Sequence, residues 1–387
     1  MTRSVVEQRI SNADRLLTPA LLIFPEIVDS NIRCTLQAMG DDPGAWRPHV
    51  KTAKLAATIQ RLTVVGVTNF KCSNTLELKM LLEAGARDVL VSHLVTGANA
   101  IRVKDIVKSS RCRISALVEH ASQISAWENS GVDLFVDLNP GMDRTGVAID
   151  DVRCIIELVE YILKNRIKFR GLHFYDGHLA HLPFAERVSR AHQGYDRLLE
   201  LVDKITRTGI PIEEIITSGT PTFLAALSYS GFRGKSFKHR VSPGTVVYGD
   251  RRSAAQIPER YGYRPAVVVL STVVSHPAPH LITCDGGSKS VSADSGVPTC
   301  EVLDRPDLKP QKPSEEHIPI EITLSRQKPA IGETLYLIPS HVCTTVNNFD
   351  RAWWVEDGKA RRSEAVTARG REVMTCDRTE DDHCFAR

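Results

Sequence analysis

Eight short strand-like runs recur along the first two-thirds of the chain, and segments with helical spacing separate them. The runs are Trp46–Val50, Asn69–Cys72, Val89–Ser92, Ile114–Val118, Leu134–Leu138, Gly171–Tyr175, Ile215–Ser218 and His239–Ser242. Between them, Leu55–Val65, Leu76–Leu82, Ala98–Val107, Val152–Leu163 and Ala185–Ile205 place apolar residues at the period of an α-helix. Alternation of β and α at this pitch argues a parallel sheet. Eight repeats over about 200 residues argue a closed (β/α)8 TIM-type barrel. An open doubly wound sheet has the same pitch and is the alternative, because spacing alone does not show closure.

Upstream, residues 1–16 are polar and read as a short helix or an arm. Thr18–Phe24 reads as a buried strand after a proline entry, and Glu26–Met39 as an amphipathic helix. After about residue 255 the texture changes. Ala266–Val274, Leu281–Cys284, Ile318–Leu324, Thr334–Leu337 and Ala352–Val355 read as strands between Pro/Gly-rich loops, with no segment of helical length among them. The expected organisation is a barrel over 18–254, an antiparallel β domain over 255–370 and a mobile tail over 371–387, which is polar and aperiodic.

Composition narrows the function. Hydrophobic content of 42% and charged content of 25% fit a soluble globular chain. The net charge of +3, without a basic run, argues against a nucleic-acid partner. No apolar run approaches the roughly 20 residues that span a bilayer, and Met1–Asn12 has no apolar core, so neither a membrane nor a secretory signal is expected. Nine scattered cysteines without a CxxC pair read as reduced thiols in a cytoplasm.

In a barrel, chemistry gathers at the C-terminal ends of the strands. The first run, Arg47-Pro48-His49-Val50, ends in Lys51. Arg47, His49 and Lys54 crowd it in sequence, and like-charge repulsion is expected to favour the neutral, nucleophilic amine. The alternative is a surface lysine in a basic loop. The fifth run leads into Gly141-Met142-Asp143-Arg144-Thr145-Gly146, and the sixth into Asp176-Gly177-His178-Leu179-Ala180-His181. The seventh ends in Ser218-Gly219-Thr220 and the eighth in Ser242-Pro243-Gly244-Thr245. Hydroxyls and glycine-freed N–H groups on these last two runs suit a phosphate dianion. A lysine on the first strand facing such a site is the layout expected for a lysine-held pyridoxal phosphate.

Arg47-Pro48-His49-Val50-Lys51-Thr52, the Gly141–Gly146 loop, Ser242-Pro243-Gly244-Thr245 and Asp285-Gly286-Gly287-Ser288-Lys289 occur in that order. Together they resemble the fold-type III pyridoxal phosphate enzymes, in the branch with D-threonine aldolase and D-serine dehydratase, from about Thr18 to Gly370. The resemblance implies an alanine-racemase-like barrel with a C-terminal β domain. It implies Lys51 as the cofactor lysine and places His49, Arg144 and Tyr175 around the cofactor. Ser218, Gly219, Thr220, Gly244 and Thr245 would surround its phosphate. A structural ion pair is the alternative for Arg144. A homodimer is expected by resemblance alone. Ala53 departs from the histidine more usual in the family's Lys-Thr-His-Lys run.

Near the C-terminus, Ser340-His341-Val342-Cys343 sets two ligand types two residues apart. On a strand they would share a face. Imidazole plus thiolate suits zinc best, with manganese or magnesium as alternatives. The other reading is a buried cysteine beside a hydrogen-bonded histidine. The family implies a metal at this motif, and Cys343 resembles the His-x-Cys of dehydratases more than the His-x-Asp of aldolases. His178 and His181 are candidate bases or ligands, or ordinary loop histidines. His181 resembles an active-site histidine of the aldolases. Ser314-Glu315-Glu316-His317 resembles an acidic motif that would orient the metal ligands, or else it caps a solvated loop.

The expected activity is a pyridoxal phosphate- and metal-dependent lyase acting on a D-3-hydroxy amino acid. A dehydratase of the D-serine or D-3-hydroxyaspartate type gives a 2-oxo acid and ammonia. The first alternative is a D-threonine aldolase-type cleavage to glycine and an aldehyde. The second is an amino-acid racemase, which needs no metal and takes a second base from a partner subunit.

Overall fold

The computed structural model describes residues 9–373, apart from 324 and 326. Two sheets organise it. Strand β1 (Ala20–Ile23) and helix α1 (Pro25–Ala38) precede the repeating region. The repeats run α2 (Ala56–Val64), β2 (Asn69–Cys72), α3 (Thr75–Glu83), β3 (Asp88–Val91), α4 (Gly97–Lys108), β4 (Arg113–Val118), α5 (Ala121–Ile124) and β5 (Asp133–Asn139). They continue through β6 (Val147–Ala148), α6 (Val152–Lys164), β7 (Phe169–Phe174), α7 (Phe184–Arg207), β8 (Glu214–Thr217), α8 (Phe223–Ser228) and β9 (Lys238–Val241). The parallel order is β2-β3-β4-β5-β7-β8-β9, with the two-residue β6 beside β5. The five helices read from periodicity between the runs match α2, α3, α4, α6 and α7 within two residues at each end.

The first expected run is not a regular strand. Pro48 has no N–H to give to a ladder, and Trp46–Val50 instead makes isolated parallel bridges on both sides: Trp46 to Val241 and His49 to Lys71. The Arg47 N–H donates to the Val241 carbonyl at 2.9 Å, the Lys71 N–H to Pro48 at 2.9 Å and the Val50 N–H to Lys71 at 2.8 Å. The segment therefore lies between β9 and β2 and joins the two ends of the sheet, so the barrel is closed.

A buried charge network fills the end of the barrel away from Lys51. Arg47 is fully buried. Its Nε donates to Glu214 at 2.7 Å and its Nη2 to Asp88 at 2.9 Å. Arg170 bridges the same two carboxylates, and Arg240 joins Glu214. Asp88 and Glu214 begin their strands, so each carboxylate meets guanidinium groups from other parts of the barrel wall. The arginines hold the Asp88 carboxyl below the usual carboxylate range although burial opposes this.

The second sheet is built from both ends of the chain. Its later members are β10 (Val267–Ala278), β11 (Leu281–Cys284), β12 (Cys300–Val302), β13 (Lys309–Pro310), β14 (Ile318–Glu321), β15 (Thr334–Pro339), β16 (Arg351–Glu356) and β17 (Lys359–Ala365). Strand β1, which precedes the barrel in the chain, belongs here: it pairs antiparallel with β10 and parallel with β16. All four β1 residues are buried, as a central strand requires. Two helices follow barrel and sheet strands near the site. They are α9 (Arg251–Gln256) and α10 (Val342–Asn347), the latter in a region read from sequence as strands and loops alone. The expected tail starts with an anchored residue, since Glu372 pairs with Arg102 at 2.7 Å and with Lys79 at 3.4 Å. Residues 374–387 of that tail lie outside the described residues.

Asp88 and Glu214 lose a buried partner if Arg47 is removed. Arg47→Ala is expected to lower stability by about 3–5 kcal/mol, the range for breaking a buried ion pair from one side. Denaturant unfolding followed by fluorescence measures this. An unchanged midpoint would show that Arg170 and Arg240 alone satisfy both carboxylates.

Candidate active site

A cavity of about 500 Å³ opens at the C-terminal ends of the barrel strands. Its wall brings together most residues singled out in the sequence: His49, Lys51, Arg144, Tyr175, Ser218, Gly219, Thr220, Gly244, Thr245, His341 and Cys343. They come from the barrel and from the second sheet, so the cavity lies where the two halves meet.

Lys51 follows the closing segment on a turn pinned from three sides. The Tyr248 hydroxyl donates to the Ala53 carbonyl at 3.2 Å. Lys54 Nζ meets Glu77 at 2.8 Å in a buried pair. Thr52 Oγ1 lies 3.0 Å from Cys343 Sγ. The crowding of Lys51 expected from Arg47 and Lys54 is absent, because carboxylates neutralise both and Arg47 faces the other end of the barrel. His49 is the close neighbour. Its Nδ1 accepts from the Lys51 N–H at 3.2 Å, so its proton sits on Nε2 and points to Ser92 Oγ at 3.1 Å. Burial, then the charges of Lys51 and Lys71, push its pKa well below the usual imidazole value. It is a neutral hydrogen-bonding residue there.

The ends of β8 and β9 fit a phosphate. Ser218 Oγ, Thr220 Oγ1 and Ser242 Oγ are buried without a hydrogen-bond partner, and buried hydroxyls are ordinarily satisfied. Ser218 takes φ +62°, the left-handed conformation, at the exit of its strand. A Cβ at Gly244 would meet the His49 carbonyl oxygen at 2.2 Å, so only glycine lets the loop approach the closing segment. Arg144 lies over the Tyr175 ring, 4.9 Å from its centroid. Behind the ring, buried Asp176 accepts from Tyr195 at 2.7 Å and from Thr222, which ties this loop to α7 and to the β8 exit. Unpartnered hydroxyls, close-approach glycines and a lysine across the cavity are the features that pyridoxal phosphate requires.

His341 and Cys343 meet, but not by strand alternation. Strand β15 ends at Pro339, His341 caps the N-terminus of α10 and Cys343 lies in its first turn. Interaction with Cys343, and then with the Asp294 carboxylate, pushes the His341 pKa up to about 9 although burial opposes it. Burial works against ionisation of the Cys343 thiol, yet His341 brings its pKa down. Among the described residues, no group of three or more His, Cys, Asp or Glu stands ready to hold a metal. A two-donor site fits a metal whose other positions go to water and substrate.

Two sets of candidate residues are not among those lining the cavity. Glu315 and Glu316 pair with Lys289 at 2.9 Å each on an exposed loop. The Ser314 N–H donates to the His317 carbonyl. None of the four orients His341, and the motif is a solvated cap. At the sixth expected run, Gly177 and Ala180 line the cavity. His178 lies instead against Gly141, and His181 Nδ1 donates to the His178 carbonyl at 2.8 Å.

The structure also adds residues. On the cavity floor Lys71 Nζ donates to His173 Nε2 at 2.9 Å, and His173 Nδ1 donates to Asp137 at 2.6 Å. Thr145 donates to the second Asp137 oxygen at 2.8 Å. Burial, and then the charge of Lys51, bring the Lys71 pKa down to about 7. The available signal was a lysine and a histidine each set between buried apolar neighbours, Phe70 and Cys72 for Lys71, Leu172 and Phe174 for His173.

Comparison with known proteins places these features in a family. Residues 26–252 match the family described as alanine racemase, N-terminal domain, and residues 266–355 match the putative serine dehydratase domain. The chain is 28% identical to a D-threonine aldolase of Arthrobacter sp., over 92% of this chain and 93% of that one. It is 22% identical to a D-threo-3-hydroxyaspartate dehydratase of Delftia sp., over 86% and 92%. The crystal structure of a D-threonine aldolase from Filomicrobium marinum superposes with a TM-score of 0.85 at 26% identity, covering 93% of this chain and 98% of that one.

The Lys71 shift has a stability consequence. Its folded pKa lies below the unfolded value, so between pH 7 and about 10.5 the unfolded chain holds more of this proton and stability rises with pH. Lys71→Met is expected to remove up to about 1.4 kcal/mol per pH unit of that rise. Thermal unfolding at pH 7, 8 and 9 measures it, and an identical pH slope in the variant would contradict the buried, depressed amine.

Proposed function

This chain belongs to the alanine racemase-like, fold-type III pyridoxal phosphate enzymes, and we propose that within them it is a metal-assisted lyase of D-3-hydroxy amino acids, a dehydratase in the first instance. The family is pyridoxal phosphate-dependent, and its relatives act on small D-amino acids. The observation that carries the reading is the 3.0 Å contact between Thr52 Oγ1 and Cys343 Sγ. It puts the His341–Cys343 pair beside the residue that follows Lys51, so cofactor lysine and metal donors serve one cavity. A racemase has no use for that pair.

Bound there, pyridoxal phosphate supplies a sink for the electron pair released at Cα, and a divalent metal, zinc by the softness of its donors, supplies Lewis acidity at the 3-hydroxyl oxygen. Lys51 Nζ would hold the cofactor, give up that bond to the substrate amine and take it back as the product amine leaves. In between, the freed amine stands at the barrel mouth as the base that takes the Cα proton. The hydroxyls of Ser218, Thr220 and Ser242, and the loops at Gly219 and Gly244–Thr245, would hold the phosphate. Arg144 and Tyr175 would contact the rest of the cofactor, and neutral His49 fixes the Lys51 turn. His341 and Cys343 would hold the metal, which would make the 3-hydroxyl a better leaving group. Loss of the Cα proton and of hydroxide leaves an enamine, which hydrolyses to a 2-oxo acid and ammonia.

Aldol cleavage is the second reading, and similarity to a D-threonine aldolase supports it. It needs a base at the 3-hydroxyl proton. His181 and His178 are the residues for that role, yet neither is among the residues that line the cavity. This disposition favours elimination, in which Lys51 is the base.

The product decides. Incubated with D-serine, D-threonine and D-threo-3-hydroxyaspartate, the holoenzyme is expected to release 2-oxo acid and ammonia in equal amounts, with activity falling at least tenfold after chelation and returning with zinc. Glycine plus an aldehyde would replace the dehydratase reading by the aldolase one. Chelator-insensitive formation of the L-enantiomer would overturn both.

A further inference from the structure

The carboxylates read from sequence as orienting the metal donors pair with Lys289 instead, so that role is open. His341 has one committed nitrogen. Its Nδ1 lies 2.6 Å from Asp294 Oδ2. A carboxylate only accepts, so Nδ1 carries the proton and Nε2 is the nitrogen left for a metal. The other Asp294 oxygen, Oδ1, accepts from Thr344 Oγ1 at 3.0 Å and from Ser292 Oγ at 2.9 Å. Thr344 follows Cys343 in the first turn of α10. One carboxylate therefore grips the ring of one donor and the turn that carries the other. Ser292 belongs to the same loop as Asp294 and is itself fastened to α10, because its N–H donates to Thr345 Oγ1 at 3.2 Å.

We propose that Asp294 is the positioning residue of the His341–Cys343 pair, setting the His341 tautomer and ring angle and holding the α10 turn so that imidazole and thiolate meet one divalent metal. The assignment rests on the metal reading above and goes beyond it by naming the residue that organises the donors. The chemistry is that of a carboxylate–histidine–metal relay. The carboxylate makes the ring a stronger donor, and its loss ordinarily weakens metal binding by about 10–100-fold. Asp294 touches neither cofactor nor substrate in this role, so its removal acts on the metal and leaves the cofactor on Lys51.

Cobalt(II) is the probe, because a cobalt–thiolate bond gives a near-ultraviolet charge-transfer band that reports Cys343 directly. Chelator-stripped holoenzyme is titrated with cobalt(II), while the cofactor's visible band is followed as a check on folding. Asp294→Ala is expected to weaken cobalt binding about 10–100-fold, with the cofactor band retained. Asp294→Asn, which keeps an acceptor for Nδ1–H but no charge, should fall between the two. Glu316→Gln, which removes only a partner of Lys289, should bind as the parent does. Cobalt affinity and charge-transfer band unchanged in Asp294→Ala overturn the proposal and leave the metal reading standing. Equal losses in Asp294→Ala and Glu316→Gln also overturn it. A parent enzyme that develops no thiolate band overturns the metal reading and this proposal together.

Discussion

Closure of the barrel is the constraint on which the site depends. Seven parallel strands leave two open edges, at β2 and β9, and Trp46–Val50 satisfies both with parallel bridges. A proline in this segment prevents a full ladder, but the few bonds it makes are placed at its two ends. Arg47 at the start of the segment enters the charge network at one mouth of the barrel, and Lys51 after its end faces the other. About four residues of extended chain, roughly 13 Å, thus separate the group that locks the barrel from the group assigned to hold the cofactor. The Lys51 backbone is located by the same bonds that complete the cylinder.

The second sheet finishes the site. Its β15–α10 junction carries His341 and Cys343 to the cavity wall, and Cys343 contacts Thr52 at 3.0 Å and Thr245 at 3.5 Å. Asp250 at the start of α9 accepts from the Val342 N–H at 3.0 Å, fastening α10 to the barrel. The chemistry assigned to the cofactor and that assigned to the metal therefore meet across a packed boundary, with no mobile linker between them. Strand β1 strengthens that boundary: it comes from the start of the chain, lies centrally in the second sheet and leads directly into α1 against the barrel.

The legible parts of this arrangement are those set by period. The eight runs and their helices follow from the spacing of apolar residues, and Lys51, Ser218, Thr220 and Gly244 are identifiable because each stands just past a strand end. What spacing does not carry is side-chain direction in irregular segments. His178 and His181 lie on a short turn, and nothing in their order shows that neither lines the cavity. His341 and Cys343 do meet, yet the strand argument for it fails, since they straddle a strand-to-helix junction. Long-range partners are hidden for the same reason. Asp294 is 47 residues from His341, while Glu315 and Glu316, nearer in sequence, pair with Lys289 instead. Lys71 and His173 carry a weak signal, each a polar residue between buried apolar neighbours on a barrel strand.

Two lysines, Lys51 and Lys71, line the same cavity, and the cofactor is assigned to the first. Borohydride reduction of the holoenzyme makes the cofactor–lysine bond permanent, and peptide mass spectrometry then locates it. The pyridoxyl mass is expected on the peptide containing Lys51, with the Lys71 peptide unmodified. A label on Lys71, or no lysine label in a protein that carries the cofactor's absorbance, would contradict that assignment.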